Sequence, residues 1–388
     1  MLTCLRFSLF PLLVFPLLYA ALLHGGYAGW WYTLGLIFAY LLVDNVAEAP
    51  STVTFQSGIY YNTVLLLHIP FSCVALLLLF WQSAVNHEEL FNFASRLHEL
   101  APFLPTPTPV TSSLEYWGLV IAVGFVFGHN TAVAHELMHR RSRWLFEASR
   151  LLFALCGDAQ VVISHIHSHH TKVATAEDPT SARRGDSIYW HFLRAVCGQY
   201  RDSLAFERNR LAKAGALRRA MGNQVINGVL LSIIPLLLVG TLVGLVALVS
   251  WLVIMLIAKW LLEAINYVQH YGLVRVPGSA IETRHSWESQ GLASTLGLYN
   301  ATRHGGHHVN GNDPFWDLEY HGTAPVHPHG YMYAISLALI PPWWRSYIAP
   351  RLSAWDQYMA SAEEQTLVRL SLTETEPSRS STSTAEAK

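Results

Sequence analysis

The sequence predicts an all-α fold, a bundle of six transmembrane helices with a histidine-rich metal site at one end. Three observations predict it. Of 388 residues, 52% are hydrophobic and only 13% charged, whereas a soluble domain carries about 25% charged residues. Six stretches are long and apolar enough to cross a bilayer, which takes about 17–25 residues each. The chain also holds 20 histidines, and a side chain so costly in lipid needs a reason to be there.

The six stretches run roughly 7–23, 28–44, 63–81, 114–134, 225–242 and 243–262. The first resembles a signal peptide in length, but only Arg6 precedes it and no convincing cleavage site follows, so it is expected to stay as an anchor. The last two are nearly continuous, which predicts a tight hairpin around Gly240 and Gly244. A seventh apolar patch, 331–348, contains Pro341-Pro342-Trp343-Trp344-Arg345 and suits a segment lying at the membrane interface. One membrane-embedded catalytic domain is expected over 1–370, and the polar segment 371–388 reads as a disordered tail.

Basic residues set the expected orientation. The segment between the fourth and fifth stretches carries fourteen Lys and Arg, from Arg140 to Arg219, while the loops near 24–27 and 45–62 carry none. By the positive-inside rule the basic segment is cytoplasmic. A net charge of −1 gives no footprint for nucleic acid. Cys4, Cys73, Cys156 and Cys197 are scattered and form no C-x-x-C pair, so they read as reduced packing residues.

Nine histidines fall in four clusters: His135 and His139 in HELMH; His165, His169 and His170 in SHIHSHH; His270 in NYVQHYGLVR; His304, His307 and His308 in RHGGHH. Each cluster leaves a predicted span, or follows one, on the cytoplasmic side, so all can converge at one depth. His135 and His139 are i, i+4 and share a helix face. His165 and His169 repeat that spacing, with His170 about a third of a turn away, so one short helix can serve two metals. Neutral imidazole suits zinc, copper, iron and nickel. Three or four histidines make one site and nine make two. Carboxylates at helical spacing, as in soluble di-iron bundles, are missing nearby. His167 breaks the spacing and is left out. His24, His68, His87, His98 and His129 read as hydrogen-bonded structural residues, and His191, His285, His321, His327 and His329 as surface or supporting ones.

HELMHRR, the H-x-x-x-H-H cluster followed by KVATAEDPTSARRGDS, NYVQHYGLVR and RHGGHH resemble the integral-membrane non-haem di-iron hydroxylases, which include alkane 1-monooxygenases and the xylene/toluene methyl-group monooxygenase and are related to membrane fatty acid desaturases. The resemblance runs from about 114 to 358 and includes IPPWWRSYIAP and SAWDQYM. It implies a six-span desaturase-like bundle whose cytoplasmic end holds two iron ions, with O2 as co-substrate. The ligand role is carried onto His135, His139, His165, His169, His170, His270, His304, His307 and His308. It further implies a bacterial inner-membrane enzyme that takes electrons from a rubredoxin or a ferredoxin-type donor with its reductase, and an apolar or fatty-acid substrate dissolved in membrane lipid. The chain departs from the alkane enzymes in two boxes. Ser164, Ile166 and Ser168 occupy the non-histidine places where E-H-N-x-G-H-H is usual, and Gly305-Gly306 replace the Ser-Asp of R-H-S-D-H-H.

The leading expectation is hydroxylation of an alkyl terminus or aryl methyl group. The same site run as a desaturase, or as an oxidative decarboxylase yielding a terminal alkene, is the alternative. A third reading, an intramembrane zinc protease, uses the literal H-E-x-x-H of His135–His139 plus one further ligand, with Glu136 as general base, and leaves the other clusters idle. In the di-iron reading Glu136 instead supports a ligand imidazole, with Glu263, seven residues before His270, as a weaker candidate. Asp178, Arg183 and Arg184 lie on a loop read as a solvated face, with docking of an acidic electron donor as the alternative.

Overall fold

The computed structural model describes residues 2–53, 57–83, 92–215, 221–320 and 322–375. His87, His321 and the tail from 376 lie outside them. The fold is helical: α1 (Leu2–His24), α2 (Ala28–Val46), α3 (Gly58–Ser83), α4 (Phe93–Leu100), α5 (Ser113–Met138), α6 (Arg143–Leu155), α7 (Val161–Ser164), a π-helical turn (His165–His169), α8 (His170–Lys172), α9 (Ile188–Arg210), α10 (Gln224–Leu242), α11 (Leu245–His270), α12 (Leu292–Gly297), α13 (His304–Val309), α14 (Gly330–Ala338), α15 (Pro341–Tyr358) and α16 (Ala362–Thr375). Two short strands, β1 (Glu288–Ser289) and β2 (Val326–His327), pair in parallel.

Among the described residues, five helices are long and apolar enough to cross a membrane: Arg6–His24, Gly58–Ser83, Ser113–Met138, Gln224–Leu242 and Leu245–His270. The sixth expected crossing, 28–44, does form a helix, α2, but falls short of that measure. Trp30, Trp31 and Tyr32 stand at one end and Asp44 and Asn45 at the other. The apolar middle that remains is far shorter than the ~30 Å hydrocarbon core. Asp44 is buried, taking the Ser294 N–H at 2.9 Å and the Ser294 hydroxyl at 2.5 Å, so α2 is bound to the polar C-terminal region. Prolines at 11, 16, 70 and 235 sit inside spans, where neighbouring helices can satisfy the freed carbonyls.

The predicted hairpin is present. Gly244, at φ +125°, separates α10 from α11, and the bare Gly240 lets Leu248 approach so closely that a Cβ there would meet it at 2.4 Å. The patch 331–348 becomes α14 and the start of α15, neither of them among the apolar crossings. Of the polar tail expected from 371, residues 371–375 belong to α16, and the rest lies outside the described residues. Cys73, Cys156 and Cys197 are free thiols.

Candidate metal centre

Helix packing sets the depth of the site. A Cβ on Gly124 would lie 2.8 Å from Ile257, and one on Gly128 2.3 Å from Leu261. Both pairs are 133 residues apart (257 − 124 and 261 − 128), so α5 and α11 run parallel in a fixed register. At that offset His135 is level with Val268, two residues before His270. The two helices therefore deliver their terminal histidines to one level. Among the described residues, α10 and α11 are the two apolar crossings between the two halves of the site, so this convergence is the same whether or not α2 crosses the membrane.

The structure brings all nine predicted histidines together. One ring nitrogen from each of His135, His139, His165, His170 and His307 lies within 4.8 Å of the others, and His169, His270, His304 and His308 form a second such group. The groups adjoin, with the His170 and His308 rings 4.6 Å apart. Nε2 atoms face one another at 2.9 Å for His165 and His170, and at 3.0 Å for His270–His304 and for His304–His308. Among the described residues, the buried Nε2 atoms of His135, His139, His169 and His307 have no hydrogen-bond partner, an expensive arrangement for a protein interior without a ligand. Burial, reinforced by the neighbouring imidazoles, holds His139, His165, His170, His304, His307 and His308 well below the ordinary histidine range. Neutral rings with converging lone pairs are the donor set that a transition metal requires.

The local geometry of SHIHSHH differs from the expected α-helix. Residues 165–169 form a π-turn, in which the i, i+5 pair rather than i, i+4 comes into line. His165 therefore joins His170 in the five-histidine group, and His169 turns into the four-histidine group. His167, left out of the set, faces away and stacks on Phe206 at 3.9 Å.

Carboxylates behind the histidines are not where the sequence reading put them. Asp178 is buried rather than on a docking face. Its Oδ2 accepts from His169 Nδ1 at 2.8 Å and from the Ser181 hydroxyl at 2.6 Å, and its Oδ1 from the Thr180 N–H at 3.0 Å. Burial alone would raise this carboxyl, but the His169 imidazole and these hydrogen bonds outweigh it and hold Asp178 down to about 2. It is the carboxylate that orients a ring, the role the sequence reading gave to Glu136. Glu136 points elsewhere: Oε1 takes the Arg140 guanidinium and the Phe315 N–H at 2.9 Å. Among the described residues no imidazole hydrogen-bonds to it. An i+4 arginine at the helix end captures the carboxylate before a histidine can. Glu263 likewise faces Lys259 at 2.7 Å, Gln199 at 2.9 Å and Asn266 at 3.1 Å, not His270. Arg184 forms a two-pronged pair with Asp356 at 2.6 and 2.8 Å, while Arg183 stays exposed. Glu288, unremarked in the sequence, is buried beside Gly305, and burial pushes it up to about 7 against the opposing Gly306 and Gly305 amides. In the sequence, the cue for Asp178 was the acidic pair Glu177-Asp178 within ten residues of the H-H pair, followed by Pro and Thr.

The bland reading holds for His68 and His129. His68 hydrogen-bonds Asn130 at 2.9 Å and Tyr299 at 2.7 Å, and His129 the Tyr40 hydroxyl at 2.7 Å. His98 meets the Leu104 carbonyl at 2.8 Å, and His24 is exposed. His285 and His327 are buried and bonded rather than on the surface: Glu364 lies 2.8 Å from His285, and the Val268 carbonyl 2.9 Å from His327.

Beside the site a small cavity reaches His135, His165 and His304; its wall is mostly apolar, with Ala132, Leu262 and Leu298 among the apolar side chains and Thr131, Gln199 and Asn266 among the polar ones. A second small cavity shares Ile265 and Leu298 with it and extends to Phe125 and Tyr40. Apolar walls with a few polar groups are the usual form of a site for an apolar ligand.

Fold and site together define an integral-membrane protein with a histidine-rich metal-binding centre. The fatty acid desaturase family model matches residues 112–337, a range that holds all nine histidines. The chain belongs to the fatty acid desaturase family. Alkane 1-monooxygenase 1 of Alcanivorax borkumensis is 27% identical over 84% of this chain and 80% of its own length. Alkane 1-monooxygenase 1 of Pseudomonas aeruginosa is 34% identical over 64% of this chain and 67% of its own. The xylene/toluene monooxygenase hydroxylase component XylM of Pseudomonas putida is 35% identical over 66% of this chain and 70% of its own.

Proposed function

We propose that the nine histidines hold two iron ions and that the protein is an O2-dependent monooxygenase. On this reading it hydroxylates an alkyl terminus or an aryl methyl group of a substrate dissolved in the membrane. The observation that carries the reading is the pair of histidine groups opening onto an apolar cavity. Relatives named alkane 1-monooxygenase and xylene/toluene monooxygenase support the substrate class.

His135, His139, His165, His170 and His307 would hold one metal and His169, His270, His304 and His308 the other. When bound, the pair supplies reductive activation of O2 and oxidation of an unactivated C–H bond, overall RH + O2 + 2e⁻ + 2H⁺ → ROH + H2O. The chain's own residues do the rest. Asp178 fixes the His169 ring, presenting Nε2 to the metal. Ala132, Leu262 and Leu298 exclude water and align an apolar chain with its end at His135 and His304. Glu136 is held away by Arg140 and Phe315, which disfavours a role as base to a metal-bound water and so disfavours the zinc-protease reading. Electrons would come from a rubredoxin or ferredoxin-type donor, with the site on the cytoplasmic side of a bacterial inner membrane, a placement supported by the basic segment from Arg140 to Arg219.

Membranes containing the protein, given dodecane, xylene and lauric acid with O2 and a reductant, test the reaction. An alcohol from dodecane or xylene is the expected product. A terminal alkene from lauric acid as the sole product would favour decarboxylation over hydroxylation.

A further inference from the structure

Glu288 stands on β1, outside every histidine cluster, yet its side chain, only 2% exposed, reaches the HGGHH turn. Its carboxylate lies against the Gly305–Gly306 backbone, with the two amides on its side. A Cβ on Gly305 would lie 3.0 Å from Glu288 Oε1, 2.5 Å from the Thr283 carbonyl oxygen and 2.9 Å from Thr283 Cα. A side chain at 305 has no room, which gives a physical reason for glycine where serine is usual. Gly306 differs: the nearest atom to a Cβ there is the Glu319 carbonyl oxygen, at 4.0 Å. The carboxylate's other oxygen, Oε2, is buried without a hydrogen-bond partner among the described residues. Such a group costs stability wherever it sits. A carboxylate kept there despite that cost has work to do on what it touches.

The geometry points to Glu288 as a positioning residue of the metal centre: by packing its buried carboxylate against the Gly305–Gly306 backbone it sets the aim of His304, His307 and His308. That turn feeds both groups, His307 into one and His304 and His308 into the other. A shift of the turn therefore disturbs both metals together. Glu288 touches neither metal nor substrate in this account, and it acts through reach rather than charge. β1 is held against β2 and the Pro325 carbonyl, which accepts the Glu288 N–H at 2.8 Å, so the carboxylate is presented from a fixed base.

The inference rests on the two-metal reading, and the experiment separates the two. Full-length protein is purified in detergent, stripped, and reloaded with Fe(II) alone; metal per chain and affinity are read by chelator competition and ⁵⁷Fe Mössbauer spectroscopy. If the wild type fails to take up two irons, the two-metal reading falls first. Given two, Glu288→Gln keeps an acceptor at full reach without the charge and is expected to stay within about threefold of wild-type affinity with an unchanged spectrum. Glu288→Asp keeps the charge but withdraws it by one methylene, and is expected to bind about 10–100-fold more weakly, as loss of a supporting contact does. Wild-type affinity and spectrum in Glu288→Asp overturn the proposal. So does an equal loss in Glu288→Gln when size-exclusion elution and thermal midpoint show both variants folded.

Discussion

His165 Nε2 and His170 Nε2 face each other at 2.9 Å across a π-helical turn. The turn resolves how a six-residue stretch feeds two groups: the wider spiral carries His170 back over His165 and throws His169 to the other side. A regular α-helix would have aligned His165 with His169 instead. The irregularity is thus a working part of the site, as π-turns at functional positions commonly are.

From this follows a complementary pair of losses. His169→Ala and His170→Ala should each bind about one iron per chain, but vacate different sites. Mössbauer spectra should show the loss of different components. Loss of the same component in both variants would contradict the division into two groups.

Asp178 holds the Nδ1 side of His169 at 2.8 Å. Asp178→Asn is expected to weaken one of the two metals by about 10–100-fold, the usual cost of removing a carboxylate behind a ligand imidazole, while the protein still inserts and elutes normally. Chelator competition measures it. Unchanged affinity for both metals would show that Asp178 serves the Thr180–Ser181 turn alone.

Glu136 gives the sharpest contrast with a zinc hydrolase. Glu136→Gln keeps an acceptor for the Phe315 N–H but breaks the ion pair with Arg140. The expected cost is stability of about 1–3 kcal/mol, with two irons retained and product formation reduced less than about threefold. A hydrolase using this glutamate as base would lose at least ~100-fold. Turnover and a thermal midpoint on the same preparation separate these outcomes.

Acid should destabilise the metal-free protein through histidines outside the metal centre. Burial pushes His327 and His191 down to about 4, against about 6.5 in the unfolded chain. Below pH 6.5 the unfolded chain takes up protons that the folded chain refuses. The stability is therefore fully present above about 6.5 and is lost as pH falls toward 4. For His327 burial is the cause, and the Val268 carbonyl that accepts from Nε2 at 2.9 Å opposes it only in part. His327→Gln should flatten the fall of the thermal midpoint between pH 6.5 and 4.5. An unchanged slope would remove His327 from the account.

Much of this site was legible in the sequence, and the legible part has a physical character. Ligand histidines are conspicuous because lipid-facing helices do not carry them without cause, and topology alone placed His135, His139 and His270 at span ends. What escaped was local. A π-turn leaves no mark in the i, i+4 bookkeeping that helix reading uses, so the partition of His165, His169 and His170 was misassigned. Glu136 looked like the supporting acid because it adjoins a ligand in the chain, but Arg140, one turn on, takes it. Asp178 and Glu288 support the site from loops and a two-residue strand, where no periodicity says which way a side chain faces. The second expected crossing forms the helix α2, whose end the sequence did not tie to the rest of the fold: Asp44 is committed to Ser294, 250 residues away.

The central claim is that nine histidines hold two irons. Metal content and identity of the detergent-purified, full-length protein test it most directly. Two irons per chain, falling well below two in His307→Ala and unchanged in His24→Ala, is the predicted result; one zinc with no iron would contradict it.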